Sequence, residues 1–284
     1  MDITKVAVIG GGTMGNGIAH VFGMNKIPVH LVEMNESLGK KALNTISMNL
    51  DRMVKKEKIS AGQKEQTIEN ISLYTDVKKA VADVDLVVEA VPENIDLKKK
   101  IFTQVDEAAP DNAILASNTS SISITKLAAS TERPRQFIGM HFFNPVPVMK
   151  LVEVVKGFKT SDETYESVKN TAQKLGKTPV PVQDYPGFVS NRVLMPMINE
   201  AISCVHEGVA TPENVDSVMK LGMAHPMGPL RLADFIGLDV CLDIMNVLYE
   251  GFKDPKYRPS PLLVNMVNAG KLGNKTGEGF YKYD

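Results

Sequence analysis

Lys5-Val-Ala-Val-Ile-Gly10-Gly-Gly12-Thr-Met-Gly15 is the stretch on which the fold turns. Its first five residues, KVAVI, read as a buried strand, and residues 14–24 read as a helix. The glycines between them follow G-x-G-x-x-G, and each has its own steric task. Gly10 permits a tight turn, Gly12 lets another group approach the backbone, and Gly15 allows close packing of helix on strand. N–H groups and the dipole at the helix start then favour a phosphate. Strand, loop and helix in this order open an α/β unit.

Working outward, the alternation continues. Val29–Val32 reads as a strand and residues 36–58 as a long Lys-rich helix; residues 76–82 look helical. Leu86–Val91 is a strand, 96–108 a helix, and Ile114–Ser117 and Phe137–Met140 are short buried strands flanking a helix at 123–130. Lys150–Val155, residues 162–175 and Thr178–Val182 read as strand, helix and strand. Such a pattern predicts a parallel sheet of the doubly wound, Rossmann type with helices around it.

After Asp184-Tyr-Pro-Gly187 the character changes. Val189, Val193, Met197, Ala201 and Val205 recur every four residues, marking one face of a long helix. Thr211-Pro212-Glu213 is a helix start, residues 229–250 form a helical stretch, and Ser260-Pro261 opens a last helix that closes near Gly270. The expected fold class is therefore α/β, an N-terminal Rossmann-type domain over 1–184 followed by an all-α domain over 185–284. The C-terminal helices are apolar over much of their circumference, so a subunit interface is expected there, most simply in a homodimer.

A second element supports the glycine loop. Glu33 ends the second strand, 18 residues beyond Gly15. An acid at that place accepts hydrogen bonds from adenosine ribose hydroxyls and repels a 2′-phosphate, which favours NAD over NADP. The plainer reading is a glycine turn beside a solvated Glu, and FAD enzymes share the motif.

Composition limits the other function classes. Lys plus Arg is 32 and Asp plus Glu is 33, so the basic excess of a nucleic-acid binder is missing. Cys204 and Cys241 lie in apolar helical patterns and read as small core residues. They and the five histidines show no metal-ligand spacing, so no metal is expected. No apolar run approaches the roughly 20 residues of a membrane span. The first strand begins almost at the N-terminus, so no leader is read and a cytoplasmic setting is expected.

Acid–base chemistry is suggested by His141-Phe-Phe-Asn-Pro-Val-Pro-Val-Met-Lys-Leu-Val-Glu153. Glu153 shares a strand face with Leu151 and Val155, and a carboxylate facing an apolar layer needs a partner. His141 is a candidate, because the proline turns can bring its strand alongside. A carboxylate on one imidazole nitrogen fixes the tautomer and leaves the other to take a proton from a hydroxyl. A purely structural His–Glu pair, or two residues that never meet, is the competing reading. Ser117-Asn-Thr-Ser120-Ser follows a strand, at the ligand end of such a sheet, and Pro186-Gly-Phe-Val-Ser-Asn191-Arg opens the helical domain. Either could equally be helix capping.

At this point the chain resembles the L-3-hydroxyacyl-CoA dehydrogenases. The segments GGGTMGNGIA, DLVVEAVPEN, SNTSS, HFFNPVPVMKLVEVV, PGFVSNR, HPMGPLRLADFIGLD and GKLGNKTGEGFY carry the likeness over nearly the whole length. The resemblance implies that His141 is the catalytic base, oriented by Glu153, with Ser120 and Asn191 at the substrate. It implies NAD held by the loop Gly10, Gly12, Thr13, Met14 and Gly15, with Glu33, Glu93, Lys98, Ser120, Asn144 and Lys275. It implies an acyl-CoA substrate, with Lys56 on CoA; a second CoA position, often Ser in the family, aligns with Asn49. On charge alone Lys55, Lys56 and Lys58 read as a solvated helix end. Two other functions stay open: a dehydrogenase of a free hydroxy or sugar acid, and a non-catalytic NADH-binding protein. The first has no use for a CoA site at Lys56; the second could dispense with His141, Glu153, Ser120 and Asn191.

Overall fold

A computed structural model describes residues 1–283. Two compact units follow one another, Met1–Asp184 and Tyr185–Asp284. The first is built on one eight-stranded sheet in the order β3-β2-β1-β4-β5-β6-β7-β8. Its central strands β1 (Val6–Ile9), β2 (Val29–Val32), β4 (Leu86–Glu89) and β5 (Ile114–Ser117) are buried at every position. Runs that are apolar but for His30, Glu89 and Ser117 suit a parallel sheet covered on both faces, and these strands pair in parallel. Edge strand β8 (Thr178–Gln183) contains Pro179 and Pro181, which cannot donate to a further strand and so close that side of the sheet.

One reversal departs from the all-parallel expectation. β6 (Phe137–Phe142) and β7 (Leu151–Lys156) pair antiparallel, because a short loop joins them without a crossover helix. This brings the first half of β7 to the end of the sheet where β1 to β6 finish, and β8, parallel to β7, starts at that end too.

Two boundaries also differ from the sequence reading. The long helix α2 (Glu36–Lys55) buries Gly39, Ala42, Ile46 and Leu50 as one stripe and stops before 58. Glu57 adopts φ 55°, which breaks the helix, and Ser60 opens a new one, α3 (Ala61–Glu69). Ser60 and Gln63 form a capping box there, with Gln63 N–H donating to Ser60 Oγ at 3.1 Å and Ser60 N–H to Gln63 Oε1 at 2.8 Å. Strand β3 (Ile71–Tyr74) follows at the opposite edge of the sheet.

The second unit is helical, and its longest members are α8 (Ser190–His206) and α11 (Leu238–Phe252). Its core joins Met195, Ile198 and Ile202 of α8 to Leu230 and Ala233, and to Cys241, Met245 and Leu248 of α11. Burial pushes the Cys241 thiol up to about 12, as befits a core residue. Val189 and Val193 begin the stripe read from the sequence, yet they are exposed in this unit. The later members of the stripe do meet the core, Ala201 within it and Val205 packed against it, while Met195, Ile198 and Ile202 supply the rest of the buried face. The stretch 229–250 is two helices, because Gly237 at φ 105° separates α10 (Pro229–Ile236) from α11. Among the described residues no helix is long and apolar enough to cross a membrane, and no His, Cys, Asp and Glu cluster could hold a metal ion.

Candidate active site

The strand order reverses between β1 and β4, and a doubly wound sheet binds ligands beyond the carboxyl ends of its strands at such a point. The glycine loop lies there. Gly10 has φ 95°, and a Cβ on it would come 2.8 Å from the Ala90 carbonyl. A Cβ on Gly15 would come 1.6 Å from the Gly10 carbonyl, so that contact admits glycine only. Gly12 differs: nothing stands within 4 Å of its Cβ direction. It is the N-cap of helix α1 (Thr13–Met24), and no side chain caps that end. Open space before uncapped N–H groups fits a diphosphate. Glu33, after β2, accepts from Gly11 N–H through Oε1 at 2.7 Å, so its carboxylate sits against the same loop.

His141 and Glu153 are direct partners across the antiparallel β6–β7 pair. His141 Nδ1 lies 2.8 Å from Glu153 Oε2, and both residues are buried. A carboxylate facing Nδ1 favours the tautomer in which Nδ1–H donates and Nε2 points away from it. The Phe143 ring stands 4.6 Å from the imidazole, centroid to centroid.

A second network occupies the ends of β4 and β5. Glu89, fully buried, receives Lys98 Nζ at 2.6 Å and Val91 N–H at 2.7 Å on Oε1, and Ser117 Oγ at 2.6 Å on Oε2. Lys98, on helix α5 (Ile95–Ala108), is itself 1% exposed and also reaches Glu93 Oε2 at 3.3 Å. Glu93 Oε1 in turn accepts from Thr119 Oγ1, from Ser120 N–H at 3.2 Å, from Ser121 N–H at 3.1 Å and from Ser121 Oγ at 2.7 Å. Burial works to raise the Glu93 pKa, but Lys98 and the Thr119 and Ser121 hydroxyls outweigh it and hold the carboxyl below its usual range. Asn118 ties this loop to β6, its Oδ1 accepting from Phe142 N–H at 2.9 Å.

Glu93, Lys98 and Ser120 are thereby brought together, as are Glu33 and the glycine loop. Asn144 lies exposed in the β6–β7 loop, just before the cis bond to Pro145. Lys56 is the exposed C-cap of α2, and Asn49, half-buried one to two turns earlier, accepts from Arg52 Nη1 at 3.2 Å. In the second unit Asn191 is a buried residue of the first turn of α8, and Lys275 Nζ lies 2.5 Å from Asp239 Oδ2. Glu89 is not singled out by the sequence, which marks Ser117, Asn118 and Thr119 only as part of the cluster Ser117–Ser121, without a role for each. An acid at the end of an apolar strand, followed nine residues later by Lys98, was the available signal.

The family model for the NAD binding domain of 3-hydroxyacyl-CoA dehydrogenase matches residues 5–185, and that for the C-terminal domain matches 187–283. The chain belongs to the 3-hydroxyacyl-CoA dehydrogenase family. As a member of that family it is an NAD-dependent oxidoreductase. It is 55% identical to a probable 3-hydroxybutyryl-CoA dehydrogenase of Deinococcus radiodurans, over 98% of this chain and 100% of the relative. A probable 3-hydroxybutyryl-CoA dehydrogenase of Bacillus subtilis is 52% identical, over 100% and 99%. The crystal structure of (S)-3-hydroxybutyryl-CoA dehydrogenase from Ralstonia eutropha superposes with a TM-score of 0.98 at 51% identity, over all of both chains. The 3-hydroxyacyl-CoA dehydrogenase relatives thus share both units with this chain, not the sheet alone.

Proposed function

We propose that this dehydrogenase reversibly oxidises (S)-3-hydroxybutyryl-CoA to acetoacetyl-CoA, with His141 as general base and, in reverse, general acid. The observation that carries the chemistry is the buried 2.8 Å His141–Glu153 contact; the names of the relatives carry the substrate class. NAD, when bound, supplies the acceptor for the hydride that leaves C3. His141 Nε2 takes the hydroxyl proton as the carbonyl forms, and Glu153 stabilises the resulting imidazolium through Nδ1. Returning that proton to the ketone oxygen completes the reverse reaction.

Ser120 and Asn191 are assigned to the substrate oxygens, and Lys56 with Asn49 to CoA. NAD is assigned to Gly10, Gly12, Thr13, Met14, Gly15, Glu33, Glu93, Lys98, Ser120, Asn144 and Lys275. The first unit is the NAD-binding domain in this reading, and the second the substrate and dimerisation domain. Val193, Val218, Leu221, Met223 and Phe235 leave more than half of their surface exposed on that second unit. Such a set of apolar groups favours a homodimer through it, working in the cytoplasm without membrane or nucleic-acid partners.

The test is NADH oxidation with acetoacetyl-CoA, beside free acetoacetate. Fast turnover of the thioester and little of the free acid is expected. The opposite preference would move the substrate to free hydroxy acids. NADH binding without turnover of either would leave a non-catalytic binder.

A further inference from the structure

The charges beyond β4 and β5 do not cancel. Lys98 contributes one positive charge between two carboxylates, Glu89 and Glu93. Glu89 has no exposed surface and its oxygens are taken up by Lys98, Val91 and Ser117. Glu93 is the member that meets solvent, its side chain 37% exposed. One net negative charge is therefore presented at the open side of this cluster.

The strand order fixes where that charge lies. The glycine loop follows β1, His141 is the last residue but one of β6, and between them stand only β4 and β5. Three strand spacings separate the ends, about 14 Å. Glu89 leads directly into Ala90, whose carbonyl faces Gly10, while Asn118 of the same network holds the residue after His141. A dinucleotide whose diphosphate lies on the loop, and whose ring must meet a carbon bonded to a hydroxyl at His141, has to pass the Glu93 carboxylate.

We infer that Glu93, left uncompensated by the Glu89–Lys98 pair, is a specificity residue for the redox state of the cofactor. It favours the oxidised nicotinamide, which is positively charged, over the neutral reduced ring. This rests on the NAD assignment made above. The two ends of the reaction are then matched. Oxidation of the substrate transfers a hydride to the ring and a proton to His141, so one positive charge disappears beside Glu93 and another appears beside Glu153. Each position has its own carboxylate, and neither redox state leaves a cation without one.

Calorimetric titration of the whole protein with NAD+ and with NADH tests this without turnover. Glu93→Gln should raise the ratio of the NAD+ to the NADH dissociation constant about 3- to 30-fold, the range for one charge several ångströms away. Glu93→Ser, smaller and also neutral, is the second variant should the amide disturb the Ser120–Ser121 turn, and the same shift is expected. Glu93→Asp keeps the charge while altering the contacts, and should leave the ratio near that of the unmodified protein. Equal weakening of both nucleotides in the neutral variants would overturn the inference and make Glu93 a contact residue only. Failure of the unmodified protein to bind either nucleotide would instead remove the cofactor assignment on which it stands.

Discussion

The His141–Glu153 pair and the Glu89–Lys98–Glu93 network lie at one end of one sheet and are buried but for Glu93, yet they are built differently. The pair is two side chains facing each other across adjacent strands, positioned by backbone register. The network is three charges from a strand, a loop and a helix, joined by hydroxyls and N–H groups of the loop after β5. Exchanging the imidazole for another hydrogen-bond donor leaves the register that holds the pair standing. Removing the lysine from the network strands a carboxylate with no exposed surface. One arrangement is expected to be exposed by kinetics and the other by stability.

Replacing His141 by Gln breaks the comparison on its kinetic side. The amide retains a donor for Glu153 but cannot take a proton, so kcat should fall about 10²–10⁴-fold. The melting temperature should stay close to that of the unmodified protein. Turnover near the original rate would end the assignment of His141 as general base.

Lys98→Met breaks it on the other side. An unpaired buried Glu89 should cost roughly 3–5 kcal/mol, lowering Tm on the order of 10 °C. Thermal denaturation followed by circular dichroism reads this directly. An unchanged Tm would mean that the ion pair does not hold this corner of the fold.

Glu33→Gln sharpens the comparison with an acid in a third setting, half-buried and facing the glycine loop. It should disturb neither stability nor kcat much, but should narrow the preference for NADH over NADPH, by about tenfold or less for one partly solvated charge. Measuring kcat/KM for both cofactors decides it, and an unaltered ratio removes the ribose role from Glu33.

The two arrangements were also unequally legible. Strand, glycine turn and helix follow from steric rules that act within a few residues, so Lys5–Gly15 announces its own structure. His141 and Glu153 stand in two apolar runs joined by prolines, which suggests that they meet. The antiparallel direction of that meeting has no signature in periodicity, which is the same for either orientation. Glu89 is harder, since its partners come from 91, 98 and 117 and its place in an apolar strand is the single local mark of its burial. β3 and α3 escaped because an edge strand and a polar helix bury little, although Ser60 and Gln63 spelled a capping box. On α8 the regular four-residue stripe was conspicuous, yet the core took only its later part, Ala201 with Val205 against it, and added Met195, Ile198 and Ile202. Periodicity identifies an apolar face and is silent on what covers it.

Register has a consequence for how such a protein can vary. His141 and Glu153 face each other through the ladder of β6 and β7, while residues 143–150 hang from its end as a loop. Substitutions, and even changes of length, in that loop leave the ladder's pairing as it is, provided the strands keep their phase. A shift of the ladder by one residue would turn Glu153 to the opposite face and abolish the contact altogether. The His141–Glu153 contact is thus inherited whole or not at all, whereas the exposed positions of the loop beside it, Val148 and Met149 among them, can change by small steps around the buried Val146.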